Sequence, residues 1–449
     1  MKQSALIAVL AIITMSISAC CGRTTEGQPD EGNGSVSSTY SGTVDYDTYF
    51  TPERLRIDLI LAGGQGRQDI YLSALSREEA AWAGSPNSLI DPFGYGDYYY
   101  EAFAGDSLIF SKGFSALFQE WLTTEAAKST SMSMTQTIWM PFPKQQTKVV
   151  IYKREYENNR LYPVLSFNVD PQDKLISREA KNYYPVETIL DSGDPAHKVD
   201  LLFVAEGYTA AEMGKFRSDA QRFTDYMFSF DPYKGRENDF NIRLVCSPSD
   251  DSGVDIPQDD IWCSTVCESN FYTFYIDRYL TISNHFKIAD AVSGAPFDAI
   301  FVIANNGKYG GGGIFNSYAM GTSDNERAEH VFLHELGHSF AGLGDEYFEK
   351  EVAYEDFYNL RTEPWEPNLT TLVNFEAKWK DMLPADAVIP TTPNDSTMDG
   401  TLGVFEGGGY MYKGVYRPCW ECRMHHNQMD EFCPVCQRSI SRMIDYYVR

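Results

Sequence analysis

The chain has 449 residues, which is enough for several domains or for one small module and one enzyme-sized domain. Hydrophobic residues make up 43% and aromatic residues 14% of the chain, a composition that supports more than one packed core and excludes a mainly disordered or fibrous protein. The 63 acidic residues outnumber the 37 basic residues, and the net charge of -26 disfavours nucleic acid and anionic lipid surfaces as partners.

Residues 1–19 have the pattern of a signal peptide. Lys2 precedes an apolar run that ends at Ile17 and is too short to cross a bilayer. The four residues that end at Cys20 resemble a bacterial lipobox, which predicts cleavage before Cys20 and acylation of this cysteine; an ordinary secretory signal is the alternative. Residues 20–41 are predicted to form a flexible linker, because they are rich in Gly, Ser, Thr and acidic residues. We therefore expect a cell-envelope lipoprotein, at the outer membrane or cell surface, attached only through its lipid anchor.

Residues 42–180 have the pattern of an all-β domain. Short apolar or alternating runs are separated by Gly, Pro, Asn and Asp, as in the strands and turns of a sandwich. These runs lie at 55–61, 69–75, 108–110, 148–152 and 165–169. The sequence predicts an N-terminal β-sandwich.

Residues 185–449 are predicted to form an α/β domain. Continuous apolar runs typical of buried strands alternate there with segments whose apolar residues recur at helical spacing. The predicted strands lie at 199–205, 242–246 and 297–304, and the predicted helices at 210–230 and 270–287. Four glycines at 310–313 precede a short apolar run. They predict either an edge strand that could pair with an extended peptide or a flexible loop.

The motif His334-Glu335-Leu336-Gly337-His338 carries the strongest chemical signal. It lies within 324–340, where apolar residues recur at helical spacing. Residues four apart differ by about 40° around a helix, so both imidazoles can reach one metal ion. Glu335 lies beside the two histidines, where its carboxylate can reach a water molecule bound to the metal ion. The motif predicts a zinc site in which His334 and His338 are ligands and Glu335 is the general base.

Zinc needs a third protein ligand, which we predict to be Asp345 rather than Glu346. Gly342 and Gly344 permit a sharp reversal after the helix, and a short side chain reached through that reversal is held more tightly. The layout resembles the metzincin pattern His-Glu-x-x-His-x-x-Gly-x-x-Asp with one residue inserted before the glycine. Met424 resembles the methionine of the metzincin Met-turn.

Further residues make the resemblance to the IgA-specific metalloendopeptidase family specific. They are the run from His334 to Phe340, Asp345-Glu346-Tyr347, Phe405-Glu406-Gly407-Gly408 with Tyr410, Gly414-Val415-Tyr416-Arg417-Pro418 and Phe432-Cys433-Pro434-Val435-Cys436. Residues from about 42 to 165 resemble the family's all-β domain, and those from about 185 to 449 its peptidase domain. The resemblance implies a metzincin-like zinc endopeptidase that acts on proteins or peptides. It does not imply that this chain cleaves IgA.

His426 departs from the metzincin pattern. It stands two residues after Met424, where several metzincins place a tyrosine that stabilises the oxyanion, so we place it among the candidate catalytic residues.

The alternative to an enzyme is a surface lipoprotein that keeps a peptidase scaffold for binding. The intact Glu335 favours the enzyme, because a scaffold without turnover has no chemical need for this carboxylate.

The cysteines at 419, 422, 433 and 436 form two Cys-x-x-Cys pairs, a spacing also found in zinc knuckles. Export to an oxidising compartment favours disulfides, and a second structural zinc ion or free thiols are the alternatives. The acidic run that starts at Asp395, with Glu406 at its twelfth position, is a loose match to a calcium-binding loop without helical flanks. We therefore expect one catalytic zinc ion and treat a second metal ion as the lesser alternative.

Overall fold

The computed structural model describes residues 43–181, 184–348, 357–394, 400–426 and 429–449. The N-terminal region contains α1 (Tyr46–Tyr49), β1 (Phe50–Gly64), β2 (Arg67–Ala81), β3 (Tyr98–Ala104), β4 (Ser107–Phe114), α2 (Leu117–Trp121), β5 (Met132–Pro143), β6 (Thr147–Arg154) and β7 (Leu161–Val169). The C-terminal region contains β8 (Val186–Leu190), β9 (Val199–Glu206), α3 (Met213–Met227), β10 (Phe240–Val245), α4 (His285–Val292), β11 (Ala299–Ala304), β12 (Gly311–Ile314), β13 (Tyr318–Thr322), α5 (Ala328–Ala341), β14 (Phe405–Gly408), β15 (Met411–Arg417) and α6 (Pro434–Tyr447). Within these ranges no helix has the length and hydropathy needed to cross a membrane.

Three of the sequence predictions fall outside the described residues. They are the signal peptide at 1–19, the linker at 20–41 and the start of the calcium-like run at 395–399. These three stay predictions.

The N-terminal region is built from two antiparallel sheets, with strand orders β2-β1-β5 and β4-β3-β6-β7. Each of the five predicted apolar runs lies within one of these strands. The inward side chains of both sheets belong to one apolar cluster, which includes Leu55 and Leu59 in β1 and Ile109 in β4. The predicted N-terminal domain of strands is therefore confirmed.

The C-terminal region is built around a six-stranded sheet with the order β12-β13-β11-β9-β10-β8. The four central strands are parallel, and β12 and β8 are antiparallel edge strands. Every residue of β9 is buried. Leu202 packs towards the N-terminal sheets, whereas Leu201 and Phe203 pack towards the opposite core, because successive strand residues face opposite sides of a sheet. The whole chain is thus a multidomain α/β protein.

The helix predicted at 270–287 is wrong over most of its length. Only α4 forms, and it begins at His285. Tyr272, Phe274 and Tyr275 have positive φ values, which no α-helix accommodates. Asn270 instead pairs with Thr281 as in an antiparallel bridge, so this aromatic segment folds back on itself. The apolar residues that mimic helical spacing belong to a looped segment whose conformation is set by tertiary packing.

The N-terminal sheets contact the C-terminal region through β1 and α4. The Arg56 guanidinium lies 2.5 Å from an Asp290 oxygen and 2.8 Å from an Asp58 oxygen. Arg54 donates to the Ala295 carbonyl, just after α4. An apolar cluster also runs across both regions. The boundaries of 42–180 and 185–449 therefore stay predictions.

Candidate metal centre

Helix α5 carries the His-Glu-x-x-His motif and ends at Gly342. This glycine has φ 65°, its N–H donates to the His338 carbonyl, and the Leu343 N–H donates to the Gly337 carbonyl. The bond from the Gly342 N–H to the His338 carbonyl is that of an αL motif, which favours glycine because of the left-handed backbone. The predicted reversal after the helix is therefore present at Gly342.

The reversal brings Asp345 back onto the two histidines. His334 Nε2 lies 3.1 Å from His338 Nε2 and 3.1 Å from Asp345 Oδ1, and His338 Nε2 lies 3.3 Å from the same oxygen. Two ligands about 2.0–2.1 Å from a tetrahedral zinc ion are about 3.3 Å apart. The three donor atoms thus have the spacing and the chemistry of a zinc site.

Each histidine is oriented by a backbone carbonyl. His334 Nδ1 lies 3.1 Å from the Arg423 carbonyl oxygen, and His338 Nδ1 lies 2.6 Å from that of Leu343. A carbonyl can only accept, so each Nδ1 carries the proton and leaves Nε2 free to act as a ligand. The peptide backbone thereby fixes the tautomer that a metal site needs.

The electrostatics of the group favour a positive charge among its donor atoms. Burial raises the pKa of the Asp345 carboxyl, but the two imidazoles outweigh burial and hold the pKa well below its usual value. Burial lowers the pKa of His338, but Asp345 and Glu335 raise it to about 9. Burial raises the pKa of Glu335 itself.

Asp345 and Glu346 face opposite directions. The Asp345 carboxylate contacts the histidines, whereas Glu346 Oε1 accepts from Asn368 Nδ2 at 2.9 Å and lies 3.2 Å from Cys436 Sγ. The segment after Gly342 is not helical, and successive side chains of an extended segment point to opposite sides. The structure therefore brings Asp345, rather than Glu346, to His334 and His338.

Tyr410 is a contact of this group that the sequence motif does not identify. Its hydroxyl donates to Asp345 Oδ2. Gly409 and Tyr410 form the two-residue turn between β14 and β15, with φ values of 57° and 64°. The Gly409 N–H also donates to the Asp345 carbonyl. The glycine run 407–409 is a sequence signal for this turn, but it does not reveal that the turn meets Asp345.

Met424 packs against α5, and its role as a Met-turn residue stays a prediction. Its side chain is fully buried, and its sulfur is 3.1 Å from the position that a Cβ on Gly337 would take. This contact places the methionine directly beneath the helix that carries both histidines.

Arg423, which the sequence reasoning missed, is also fully buried. Its guanidinium lies 5.5, 5.0 and 5.4 Å from the ring centroids of Tyr226, Phe230 and Phe432. This aromatic cage holds the backbone whose carbonyl orients His334.

His426 belongs to a different group of side chains. Its Nε2 lies 2.6 Å from a Glu421 oxygen, and Glu421, His425 and His426 have donor atoms within 4.8 Å of one another. The structure thus pairs His426 with Glu421, and its oxyanion role stays a prediction.

Strand β12 contains three of the four glycines at 310–313. A Cβ on Gly313 would lie 2.4 Å from the Glu335 carbonyl oxygen, and a Cβ on Gly311 would lie 3.1 Å from Glu335 Cγ. The strand can therefore lie directly against α5 only if residues 311 and 313 have no side chains. It is the edge strand that the sequence predicts, but the Leu280 N–H already donates to the Gly311 carbonyl.

A carboxyl group from the N-terminal region interacts electrostatically with this centre. Glu120 of α2 accepts a hydrogen bond from the Tyr279 hydroxyl. Burial raises its pKa to about 7, and it interacts electrostatically with His338 and Glu335. The N-terminal region therefore contributes to the electrostatic environment of the centre.

Comparison with known families agrees with this geometry. The sequence model described as IgA Peptidase M64 matches residues 187–399 and 393–444. The chain belongs to this family. A second model, Peptidase M64 N-terminus, matches residues 45–162, which comprise most of the N-terminal sheets. A comparison with curated proteins finds no match.

Membership of the IgA peptidase family identifies the chain as a peptidase of the metallopeptidase type, with proteins or peptides as substrates. It also confirms the resemblance found in the sequence. The family implies a metal ion, and the group formed by His334, His338 and Asp345 fits one by its donor types and spacing.

We expect Tyr410→Phe to lower zinc affinity about 10–100-fold, because outer hydrogen bonds to a ligand carboxylate tune metal affinity by this amount. The fold should persist, since the ring is kept. Competition with a chromogenic chelator measures the affinity. Tyr412→Phe is the matched control, because Tyr412 is 42% exposed on the adjoining strand. Equal affinities for the two variants would contradict a supporting role for Tyr410.

We expect Gly313→Ala to lower the free energy of unfolding by about 1–3 kcal/mol, the usual cost of overpacking. The new methyl group would collide with the backbone of α5 at Glu335. Chemical denaturation of the zinc-loaded protein measures the change. Gly214→Ala in α3 is the control, since a Cβ there meets nothing within 4 Å. An unchanged unfolding midpoint for Gly313→Ala would show that β12 can move away from the helix.

Proposed function

We propose that the chain is an exported, metzincin-like zinc endopeptidase that hydrolyses peptide bonds of extracellular proteins. The observation that carries this proposal is the convergence of His334, His338 and Asp345 beside Glu335 on one helix and its reversal. The position of Met424 under α5 supports the comparison with metzincins.

His334, His338 and Asp345 would hold the zinc ion. When bound, zinc supplies a Lewis acid that polarises the scissile carbonyl and makes the attacking water more acidic. The Glu335 carboxylate accepts the proton of this water and later returns it to the leaving amine. Burial raises the pKa of Glu335, so this carboxylate holds a proton more readily than an exposed one does. The reaction needs no covalent intermediate with the protein.

The experiment uses the purified mature protein, a peptide library and immunoglobulins that include IgA, the substrate in the family's description. We expect cleavage that a chelator abolishes and added zinc restores. The cleaved bonds, read by mass spectrometry, then define the specificity. Stable binding to a protein without turnover in the zinc-loaded state would overturn the proposal and support a surface binding lipoprotein.

We also propose that the protein is held at the cell envelope by acylated Cys20, a residue outside the described ranges. The lipobox-like residues before it and the linker after it support this proposal. Cys20→Ala is expected to move the protein from the membrane fraction to the soluble fraction, because a lipid chain is the anchor we infer. Immunoblotting of both fractions tests it, with Cys21→Ala as the control. A soluble, unlipidated wild-type protein would contradict it.

A further inference from the structure

A second group of metal-binding side chains lies beside the first one. Glu346, Cys422, Cys433 and Cys436 have donor atoms within 4.8 Å of one another, and all four residues are buried. The group joins the segment after α5 to the segment that leads into α6. Two consecutive residues belong to different groups, because Asp345 faces the histidines and Glu346 faces the cysteines.

The distances within this group fit one ion with tetrahedral coordination. The sulfurs of Cys422 and Cys436 are 3.9 Å apart, and Glu346 Oε1 lies 3.2 Å from Cys436 Sγ and 4.0 Å from Cys433 Sγ. Around zinc, two sulfur ligands are about 3.8 Å apart, and a sulfur and an oxygen ligand are about 3.6 Å apart. All described cysteines are free thiols, so the disulfides that export favours are not formed within the described residues.

Two hydrogen-bonding features of the group favour a bound cation. The Cys433 N–H donates to Cys422 Sγ at 3.3 Å. Glu346 is fully buried, and its Oε2 has no hydrogen-bond partner among the described residues. A buried carboxylate oxygen without a partner is costly, and a bound cation would compensate for this cost.

We propose that Glu346, Cys422, Cys433 and Cys436 bind a second, structural zinc ion. Soft thiolate ligands favour zinc over magnesium or calcium, and four protein ligands close the coordination shell. Cys419, the remaining cysteine of the two Cys-x-x-Cys pairs, is buried, but its sulfur is not among the four donors. Glu346 occupies the place that the sequence spacing suggests for Cys419.

This ion would stabilise the backbone that positions the catalytic ligands. The Glu346 N–H donates to the Met424 carbonyl, and the Arg423 carbonyl orients His334. A metal ion that joins Glu346 to Cys422 would therefore hold the segments carrying Asp345 and Arg423 together. The zinc ion itself is inferred from this group alone and does not depend on the proposed peptidase activity.

The test measures the zinc content of the full mature chain, purified without chelator, by inductively coupled plasma mass spectrometry. We expect two zinc ions per chain in the wild type and one in Cys436→Ala and in Glu346→Gln. Cys246→Ala, which removes a buried free cysteine outside the group, should retain two. The same zinc content in the wild type, Cys436→Ala and Glu346→Gln would overturn the proposal.

A measurement without substitution keeps the test decisive if Cys436→Ala does not fold. Cobalt(II) replaces zinc in the wild type, and its thiolate ligands produce a charge-transfer absorption that histidine and carboxylate ligands do not produce. We expect this absorption, together with three thiols that react with an alkylating reagent only after metal removal. Its absence, or peptide mass mapping that finds Cys422, Cys433 or Cys436 in disulfides, would overturn the second site. A chain with this absorption but no proteolysis would instead contradict the proposed function.

Discussion

Glu335→Gln is expected to lower kcat/KM for peptide hydrolysis by roughly 10²–10⁴-fold, the usual contribution of a general base. The amide has nearly the same shape as the carboxylate, but it cannot accept the proton of the attacking water. His334, His338 and Asp345 keep their geometry, so zinc binding should remain. The combination of retained zinc and lost turnover distinguishes a proton-transfer role from a structural one.

The measurement combines steady-state kinetics on a fluorogenic peptide with the zinc content of the same preparation. Glu326→Gln is the matched control, because Glu326 is an exposed carboxylate just before the same helix. The control should cleave at the wild-type rate. Wild-type turnover in Glu335→Gln would reject this residue as the base and would direct attention to another carboxyl group, such as Glu120.

The parts of the centre that the sequence predicts are those set by local geometry. Helical spacing places His334 and His338 on one face wherever the helix forms. Gly342 marks the end of α5, because the αL motif requires a left-handed residue there. The long strand runs were also predictable, since β9 and β11 are buried along their whole length.

The parts that the sequence does not predict depend on contacts between distant segments. Tyr410 reaches Asp345 only because a hairpin 65 residues later packs against the reversal. Arg423 is buried because three aromatic rings from other segments surround it. Glu346 joins the cysteines because it follows Asp345 in an extended segment. The helix expected at 270–287 failed for a similar reason, since tertiary packing overrides spacing there.

Asp345→Ala is expected to abolish peptidase activity. It should also lower the zinc affinity of the site formed with His334 and His338, by more than the roughly 10–100-fold expected when a hydrogen-bond partner of a metal ligand is lost. The substitution removes a donor oxygen that lies 3.1 Å from His334 Nε2 and 3.3 Å from His338 Nε2. It also removes the negative charge that favours a cation at this point. Tyr410 loses its acceptor as well, so its hydroxyl no longer holds the β14–β15 turn against the site.

The neighbouring residue makes this prediction specific, because Asp345→Ala and Glu346→Gln should each lose a different metal ion. Asp345→Ala should keep the cobalt–thiolate absorption while it loses activity, whereas Glu346→Gln should lose that absorption. Asp386→Ala, at an exposed aspartate, is the control for the loss of one carboxylate and should retain both metal ions and full activity. If Asp345→Ala keeps both activity and its full zinc content while Glu346→Gln loses activity, Glu346 is the catalytic ligand and the assignment of Asp345 is wrong.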